Sequence, residues 1–511
     1  MRGKKFIRRE DLTVTNRLQI AFTALMAIKC GNLWGKITQL AKEYMISRMF
    51  VYMLAHDLES ISETVFGANS QINISEKMLT YQYILSLRLE GKSSLESILT
   101  VMQRFGIKNT SIGYISQTLK YFGSLLPNTL STDNEETIYV VYASDEIFSK
   151  QVPILITVDP ISSAILRIEL SDTRKKEDWK KHWECLETNG IVSLYLVCDE
   201  GKGLCGAKEE ILFDKIRQID TYHAIAHQFG QWVKRLEEAA YKAIEAAYEK
   251  YKKLDSAKSD RIINKRINKY EEAERIANEK VMLYDTYNDI YLWIIEELKI
   301  FDDKGDLRNR TEAEENIKAG LILMEELNIP NITKAVKKVR NTMPDLLNYF
   351  DIAKGVVDKL KTLHIEDEGI RVLCLAWQWR KATIKAKKAK AKHYCEDNEK
   401  CCLEVATGYL QDDFDRIKEE VYNELNKIIQ SSALVECINS IVRPYLNNSK
   451  NHITQETLNL IMFYHNHRRY KDGERKGKSP IEMLTKQKQE KDWIEHLLDF
   501  VSKKDPSFSI S

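Results

Sequence analysis

Three acidic residues stand where the chain around them would aim them at a phosphate ester. Asp145 follows the run TIYVVYAS, and Asp199 follows IVSLYLVC. Both runs are continuous and apolar with strong β-formers, so each acid is expected at the end of a buried strand. Glu436 lies in SSALVECINSIVRPYL. Ser431 or Ser432 can cap a helix there, on which Glu436, Asn439 and Arg443 share one face at i, i+3 and i+7. Carboxylates brought close together repel, and one pKa rises unless a cation neutralises them. Hard oxygen ligands with open positions suit Mg2+ or Mn2+, which keep waters and bind phosphate oxygens. An aspartate after a strand is more often only a turn residue. The case for chemistry therefore needs elements that bring all three acids together.

Residues 138–220 are the one stretch that reads as clustered strands. TIYVVYAS, VPILITVDP and AILRIEL form a meander with a DPISS turn, and RKKEDWKKHWECLET reads as an amphipathic helix with Trp179, Trp183 and Leu186 inward. IVSLYLVC is the next strand, and KIRQID leads to Asp220 and His223. If the first and fourth strands are neighbours, Asp145 and Asp199 leave the same edge of the sheet. His223, just past a strand, reads as a packed, hydrogen-bonded histidine rather than a ligand. Residues 230–425 read as helix almost throughout, as in LEEAAYKAIEAAYEKYKKL, and separate the second acid from the third.

The N-terminal end carries two helix-turn-helix patterns. In ITQLAKEYMISRMFVYMLAHDLE, Leu40, Tyr44, Ile46, Val51 and Leu54 are apolar, and Ala41 is small where two helices would cross. Ser47 can cap the second helix, leaving Ser47, Arg48, Met49, Tyr52 and Met53 outward, on the face that would enter a major groove. Met45 occupies the turn where glycine would be easier. In the second pattern Ser94 caps a helix with the stripe Leu95, Ile98, Leu99, Met102 and Phe105. GIKNT then turns and Ser111 caps again, so that Tyr114, Gln117, Thr118 and Lys120 face out. Residues 1–130 hold 16 Lys/Arg against 9 Asp/Glu, and residues 461–490 hold 8 against 4, within a chain whose net charge is only +2. Separated basic segments suit contact with a long polyanion, and two tandem helix-turn-helix patterns in the most basic end make double-stranded DNA the expected partner.

At 511 residues the chain is too long for one core and predicts two to four domains. With 20 glycines and 8 prolines, an all-β protein with many tight turns is not expected. No apolar run reaches the ~18 residues of a membrane span. The start MRGKKFIRRED has no apolar segment behind it and does not read as a signal peptide. Nine scattered cysteines point to a reducing, intracellular setting rather than a disulfide framework. WQWRKATIKAKKAKAKHY places Arg380, Lys381, Lys385, Lys387, Lys388, Lys390 and Lys392 near Trp377 and Trp379, which suits either nucleic-acid contact or a solvated helix over buried tryptophans. His393, Cys395, Cys401 and Cys402 lack paired Cys-x-x-Cys knuckles, so zinc is not expected there. His465-Asn466-His467 is not by itself evidence of a nuclease motif. No glycine-rich phosphate loop is present.

The strings SDE at Asp145, CDEGKGL at Asp199, SSALVECINSIVRPYL at Glu436 and the tail FYHNHRRY…GKSPIEML resemble the DDE transposases, whose catalytic core has the ribonuclease-H-like integrase fold. The resemblance covers residues 138–229 and 430–485. It is to the subgroup with an all-helical insertion between the second and third acids, as in the hAT and Mutator-like enzymes. DTYH at Asp220–His223 resembles the Asp/Cys-x-x-His motif of that subgroup. The resemblance implies that Asp145, Asp199 and Glu436 hold two Mg2+ (or Mn2+) ions and catalyse strand cleavage and strand transfer. Water would be the first nucleophile and a freed 3′-hydroxyl the second. It implies terminal inverted repeats and target DNA as partners, and at least a dimer on DNA. DNA contacts are expected from Ser47, Arg48, Tyr52, Ser111, Tyr114, Gln117 and Lys120. A catalytically silent, domesticated DNA-binding protein and a stand-alone nuclease of the same fold are the rivals. The expected architecture is a multidomain α+β chain. Helix-turn-helix regions occupy 1–66 and 67–130. A ribonuclease-H-like α/β core spans 131–229 and 426–485, a helical insertion interrupts it over 230–425, and a C-terminal helix and tail fill 486–511.

Overall fold

The computed structural model describes residues 11–31, 35–66, 74–107, 110–132, 137–254, 260–362 and 367–505. The basic start at 1–10 and two residues of the expected GIKNT turn, 108–109, lie outside them. The chain divides into two compact units, one ending at Tyr83 and the other running from Ile84 to Phe508. No helix among the described residues is long and apolar enough to cross a membrane.

The first unit holds α1 (Val14–Lys29), α2 (Lys36–Glu43) and α3 (Arg48–Phe66). The Thr13 hydroxyl caps α1 by accepting from the Asn16 amide at 3.2 Å. Ile20, Ala24, Ile37, Leu40, Ala41, Val51 and Ala55 form the core, with Tyr44, Ile46 and Leu54 packed against it. The alanines bring the helices close, so the apolar pattern over 37–54 closes on α1 as a third wall. Met45, in the turn between α2 and α3, adopts a left-handed backbone with φ +48°, a conformation that costs a side chain of this size. Ser47 accepts from the Phe50 amide at 3.1 Å and starts α3.

The second unit opens with α4 (Ile74–Leu89), within which the division falls, then α5 (Leu95–Arg104) and α6 (Ile112–Leu125). Ser94 and Ser111 cap the last two through the amides of Ser97 and Tyr114, each at 3.1 Å. A mixed sheet follows, in the order β3-β2-β1-β4-β5. Its elements are β1 (Ile138–Ser149), β2 (Val152–Val158), β3 (Ile165–Leu170), α7 (Lys176–Thr188), β4 (Ile191–Cys198), α8 (Lys202–Ile211) and β5 (Arg217–Ile219). β1–β2 and β2–β3 pair antiparallel, while β1–β4 and β4–β5 pair parallel. One face packs Tyr142, Leu155, Leu166 and Leu196 against Trp179, Trp183 and Leu186 of α7 and Leu204 of α8.

A helical stretch comes next: α9 (Gln228–Lys252), α10 (Asp260–Glu297), α11 (Arg310–Glu326), α12 (Pro330–Leu346), α13 (Tyr349–Lys361), α14 (Asp367–Lys385), α15 (Ala389–Leu410) and α16 (Phe414–Leu425). It owns a separate core that includes Tyr287, Ile294, Leu321, Val339, Tyr349 and Trp377. The chain then returns to the sheet with α17 (Ala433–Asn448) and α18 (Gln455–His467), ending in α19 (Pro480–Thr485) and α20 (Trp493–Lys504). α17 lies against β1 and β2, and α18 against β3 and α6.

The outer edge of β3 is covered in its middle by the backbone of 128–130, where the Leu130 amide donates to the Leu166 carbonyl at 2.8 Å and the Ile168 amide to the Asn128 carbonyl at 3.0 Å, and toward its ends by side-chain amides. Asn466 accepts from the Ile165 amide at 2.8 Å and donates to the Ile165 carbonyl at 2.9 Å. Gln455 does the same for Leu170 and Ile168. The His465-Asn466-His467 string is thus structural, with His465 and Asn466 buried and one end of the sheet edge capped. From α18, Asn459 donates to the carbonyls of Gly123 and Leu126 at the end of α6, at 3.0 and 2.9 Å. A Cβ at Gly123 would fall 2.2 Å from the Glu456 carbonyl oxygen, so only glycine permits this helix crossing. The expected break at 130/131 is therefore not where packing divides, because 84–130 is built onto the sheet and its helices.

Candidate active site

The positions of the first two acids follow from strand register. Ile138 pairs with Ile191 and Val140 with Ser193, but Val141 pairs with Tyr195, leaving Leu194 as an extra residue in β4. A bulge of this kind re-aims every later side chain of its strand. Beyond it Ala143 stands opposite Val197, the last pair of the ladder; continuing that register by two residues brings Asp145 toward Asp199, and the two line one cavity. Had the first register run unbroken, Cys198 would occupy that place. Cys198 instead points into the core under α7. Asp145 was expected at a strand end, and β1 in fact continues to Ser149. The antiparallel ladder with β2 sustains it as far as Ser149 opposite Val152, whereas pairing with β4 stops at Ala143.

The third acid is placed by a tie across the base of the helical stretch. Asp220, directly after β5, is buried. Its Oδ2 accepts from the Ser432 amide at 2.7 Å and the Ser432 hydroxyl at 2.6 Å, and its Oδ1 accepts from the His223 amide at 2.9 Å. Thr221 adds its amide and hydroxyl to the Gln430 carbonyl at 3.0 and 2.9 Å. Segments 220–221 and 430–432 are thereby joined, and Glu436 follows one helical turn later. The Ser432 hydroxyl, a candidate cap for α17, is spent on Asp220. Ser431 takes that part instead, accepting from the Ala433 amide at 3.1 Å. One turn beyond Glu436, Asn439 donates to Asp145 Oδ2 at 3.0 Å, locking α17 to β1.

His223 departs from the packed histidine expected of it. It sits in a π-helical turn (Tyr222–His227), a geometry that recurs at functional sites. Its side chain is 43% exposed, and Nε2 lies 3.9 Å from Glu436 Oε1. Because the chain turns directly after Asp220, the imidazole is carried over the sheet edge, where water reaches it.

Asp145, Asp199, Asp220, His223, Glu436 and Lys338 are among the residues that line one cavity of ≈ 420 Å³. Asp199 Oδ1 accepts from the Gly201 amide at 2.7 Å. Lys338, from α12, pairs with Glu200 at 2.6 Å. Burial pushes the Asp145 carboxyl up to about 7, and the like charges of Asp199, Glu146 and Glu436 add to the rise. Among the described residues, no three His, Cys, Asp or Glu side chains are gathered at metal-ligand spacing. The donor set still fits a hard divalent cation. Three carboxylates face one cavity, the most buried of them is held from ionising, and the buried Asn439 Oδ1 beside it has no partner.

A raised carboxyl pKa has a definite sign. Asp145 binds its proton more tightly folded than unfolded, so its contribution to stability is full below about pH 4. It is lost as pH rises through about 7. A bound divalent cation removes that penalty. We expect Mg2+ or Mn2+ to raise the melting temperature at pH 8 and to do so progressively less toward pH 5. Asp145→Asn should abolish that pH dependence and melt higher than the parent at pH 8 without metal. Metal stabilisation that is the same at pH 5 and pH 8 would exclude Asp145 as a ligand.

The expected DNA-contact residues fall on both units. Ser47, Arg48, Met49, Tyr52 and Met53 are exposed along the start of α3. On α6 Ser111, Gln117 and Lys120 are exposed and Tyr114 is partly so, but Thr118 is buried, because α6 turns that side toward α18. Of the two tryptophans of WQWRK, Trp377 is not free to stack on bases. Trp377 is buried and donates to Asn426 Oδ1 at 3.0 Å, and Trp379 is edge-on to Tyr394. His393, Cys395, Cys401 and Cys402 all lie on α15, where His393 pairs with Asp397 at 3.5 Å.

The sequence matches no protein-family model, and no curated protein shows significant similarity to it.

Proposed function

We propose that this chain is a DNA transposase of the DDE type, with a ribonuclease-H-like catalytic core interrupted by the helical insertion α9–α16. The observation that carries the reading is the convergence of Asp145, Asp199 and Glu436 on one cavity, from a register-matched strand pair and from a helix tied back across that insertion. The strand order, with an antiparallel meander and two parallel strands beside β1, supports the same core. Asp145, Asp199 and Glu436 would hold the divalent cations, Mg2+ or Mn2+. When bound, these supply an activated nucleophile and charge neutralisation on the phosphate. Asn439 orients Asp145, Asp220 sets the start of α17, and His223 stands beside Glu436, able to hold or pass a proton at Nε2.

In this reading the first unit reads duplex DNA at the element ends through Ser47, Arg48 and Tyr52. The exposed residues of α6 (Ser111, Gln117 and Lys120, with Tyr114) offer a second contact, and pairing of two ends requires at least a dimer on DNA. Arg48→Ala is expected to relax sequence preference by about 1–3 kcal/mol if the guanidinium reads a guanine. Equal weakening on every duplex in a quantitative footprint would make Arg48 a phosphate clamp only.

The direct test is incubation of the purified chain with a duplex carrying the genomic flanks of its coding sequence, with and without Mg2+ or Mn2+. Metal-dependent nicking at a fixed position and joining of the new 3′ end to a second duplex are expected. Nicking without joining would favour the stand-alone nuclease. Specific binding without nicking would favour a silent DNA-binding descendant.

A further inference from the structure

A second cavity, of ≈ 470 Å³, adjoins the acid cavity and carries the opposite charge. Its lining includes Arg174, Lys175, Lys176 and Lys202 against Glu146 and Glu177. The two cavities meet at Gly201, which lines both. The Gly201 amide donates to Asp199 Oδ1 at 2.7 Å, so one of the three acids holds the junction in place. Strand alternation accounts for the change of sign. Asp145 faces the acid cavity, and its neighbour Glu146 turns to the other face of the sheet, where Trp179 and Leu204 also line the basic one.

The basic wall is built rather than incidental. A Cβ at Gly203 would fall 2.2 Å from the Arg174 carbonyl oxygen. Glycine there lets α8 come against the segment before α7, which brings Lys202 into one cavity with Arg174 and Lys175. Arg174 is anchored by an ion pair from Nη1 to Glu146, and its guanidinium lies 5.3 Å from the centre of the Phe148 ring. The Glu146 side chain is 9% exposed and that of Arg174 60%, so the rest of the guanidinium fork is open to water. Lys176 is engaged by Glu210. Lys175 and Lys202 are exposed, and among the described residues neither forms an ion pair with a carboxylate.

A cleft lined by an excess of one charge concentrates ions of the other. Its occupant is therefore anionic, and the junction at Gly201 leads that anion straight to the acids. A phosphodiester strand suits both neighbours. The phosphate under attack meets the metal ions in the acid cavity, and the phosphates next to it lie among the cations. Trp179, the one aromatic residue lining the basic cavity, is 1% exposed and offers no ring face to a base. The cavity is thus fitted to sugar–phosphate backbone of any sequence.

We propose that the cavity of Arg174, Lys175 and Lys202 binds the backbone phosphates adjacent to the one being cut, on a strand that crosses Gly201 into the acid cavity. The inference rests on the reading of the acid cavity as a phosphodiester site, and it gives the substrate strand a path over the loop after β4.

The test measures binding of a fluorescent single-stranded oligodeoxynucleotide of about 12 nucleotides to the full chain over a range of salt, in EDTA so that the basic cavity is read without metal. Each lost phosphate contact should reduce the salt slope by about 0.7 on a single strand, so Lys175→Gln/Lys202→Gln should lower it by about 1.4 and weaken binding by about tenfold at low salt. Lys175→Arg/Lys202→Arg should restore both. Lys234→Gln/Lys242→Gln on α9, an equal charge change elsewhere, should alter neither. The glutamine pair should melt with the parent, since neither lysine holds an ion pair, and in Mg2+ it should nick subsaturating DNA about tenfold more slowly. An unchanged slope, a loss of binding that follows a fall in melting temperature and is not repaired by arginine, or nicking at the parent rate despite weakened binding overturns the proposal. A parent chain that shows the lysine-dependent slope but never nicks DNA with any divalent cation leaves the phosphate-binding cavity standing and removes the transposase reading instead.

Discussion

Asp199→Asn will remove metal-dependent strand cleavage by at least about 100-fold while leaving DNA binding and melting temperature near the parent values. The floor is set by metal sites in which loss of a mere outer-shell partner costs about 10–100-fold, and under the proposed function Asp199 is a direct ligand. The substitution is nearly isosteric. The amide oxygen can still accept from the Gly201 backbone at its present 2.7 Å, so the loop after β4 has no reason to move. Removing one negative charge also relieves repulsion on Asp145. Cleavage and gel-shift assays on one DNA end, beside a thermal melt, separate the outcomes. Parallel loss of binding and cleavage would mean a folding defect, and retained cleavage would remove Asp199 from the metal set.

Asp220→Ala will do the opposite, lowering stability by about 3–5 kcal/mol and cleavage with it. The carboxylate takes three hydrogen bonds, from the Ser432 amide, the Ser432 hydroxyl and the His223 amide, and hydrogen bonds to charged groups are worth about 1.5–3 kcal/mol each before relaxation. The abandoned donors stay buried, as Asp220 and Ser432 are. Since α17 begins at this tie, Glu436 loses its anchor too. A denaturation midpoint shift carries the prediction. Stability within about 1 kcal/mol of the parent would show that the Thr221–Gln430 contacts suffice to hold α17.

The site was legible in the sequence where chemistry and secondary structure coincide. Apolar runs ending in Asp145 and Asp199 and a helix carrying Glu436 are local patterns, and so are the serine caps at Ser94 and Ser111. What could not be read is what depends on partners distant in sequence. The extra residue at Leu194 is invisible, because an apolar run looks the same with or without a bulge, and only pairing with β1 reveals which face it selects. Ser432 looked like a cap because its hydroxyl's true acceptor, Asp220, lies on the far side of the helical insertion. Trp377 and Trp379 looked available beside so many cations, yet α14 turns Trp377 into the insertion's core. The asparagine of the tail string gave no sign that it seals a sheet edge. A hint did exist at Asp220. A charged residue between an apolar strand and the chain's next turn calls for a partner, and one of the two serines that follow the insertion, Ser432, is that partner.

The tie between 220–221 and 430–432 also sets a clock. A ribosome releases the strands carrying Asp145 and Asp199 early, then the whole insertion, and only then Ser432 and Glu436. Until that moment Asp220 has neither Ser432 donor, and the segment after β5 has nothing to close against. Contacts of such long sequence separation form late and slowly. The unit ending at Tyr83, by contrast, is complete within the first sixth of synthesis. A growing chain, or one cut short before Ser432, therefore carries its outward Arg48 and Tyr52 face without an assembled acid cavity. Under the proposed function, a full-length copy would meet such an incomplete sibling as a competitor for the same duplex.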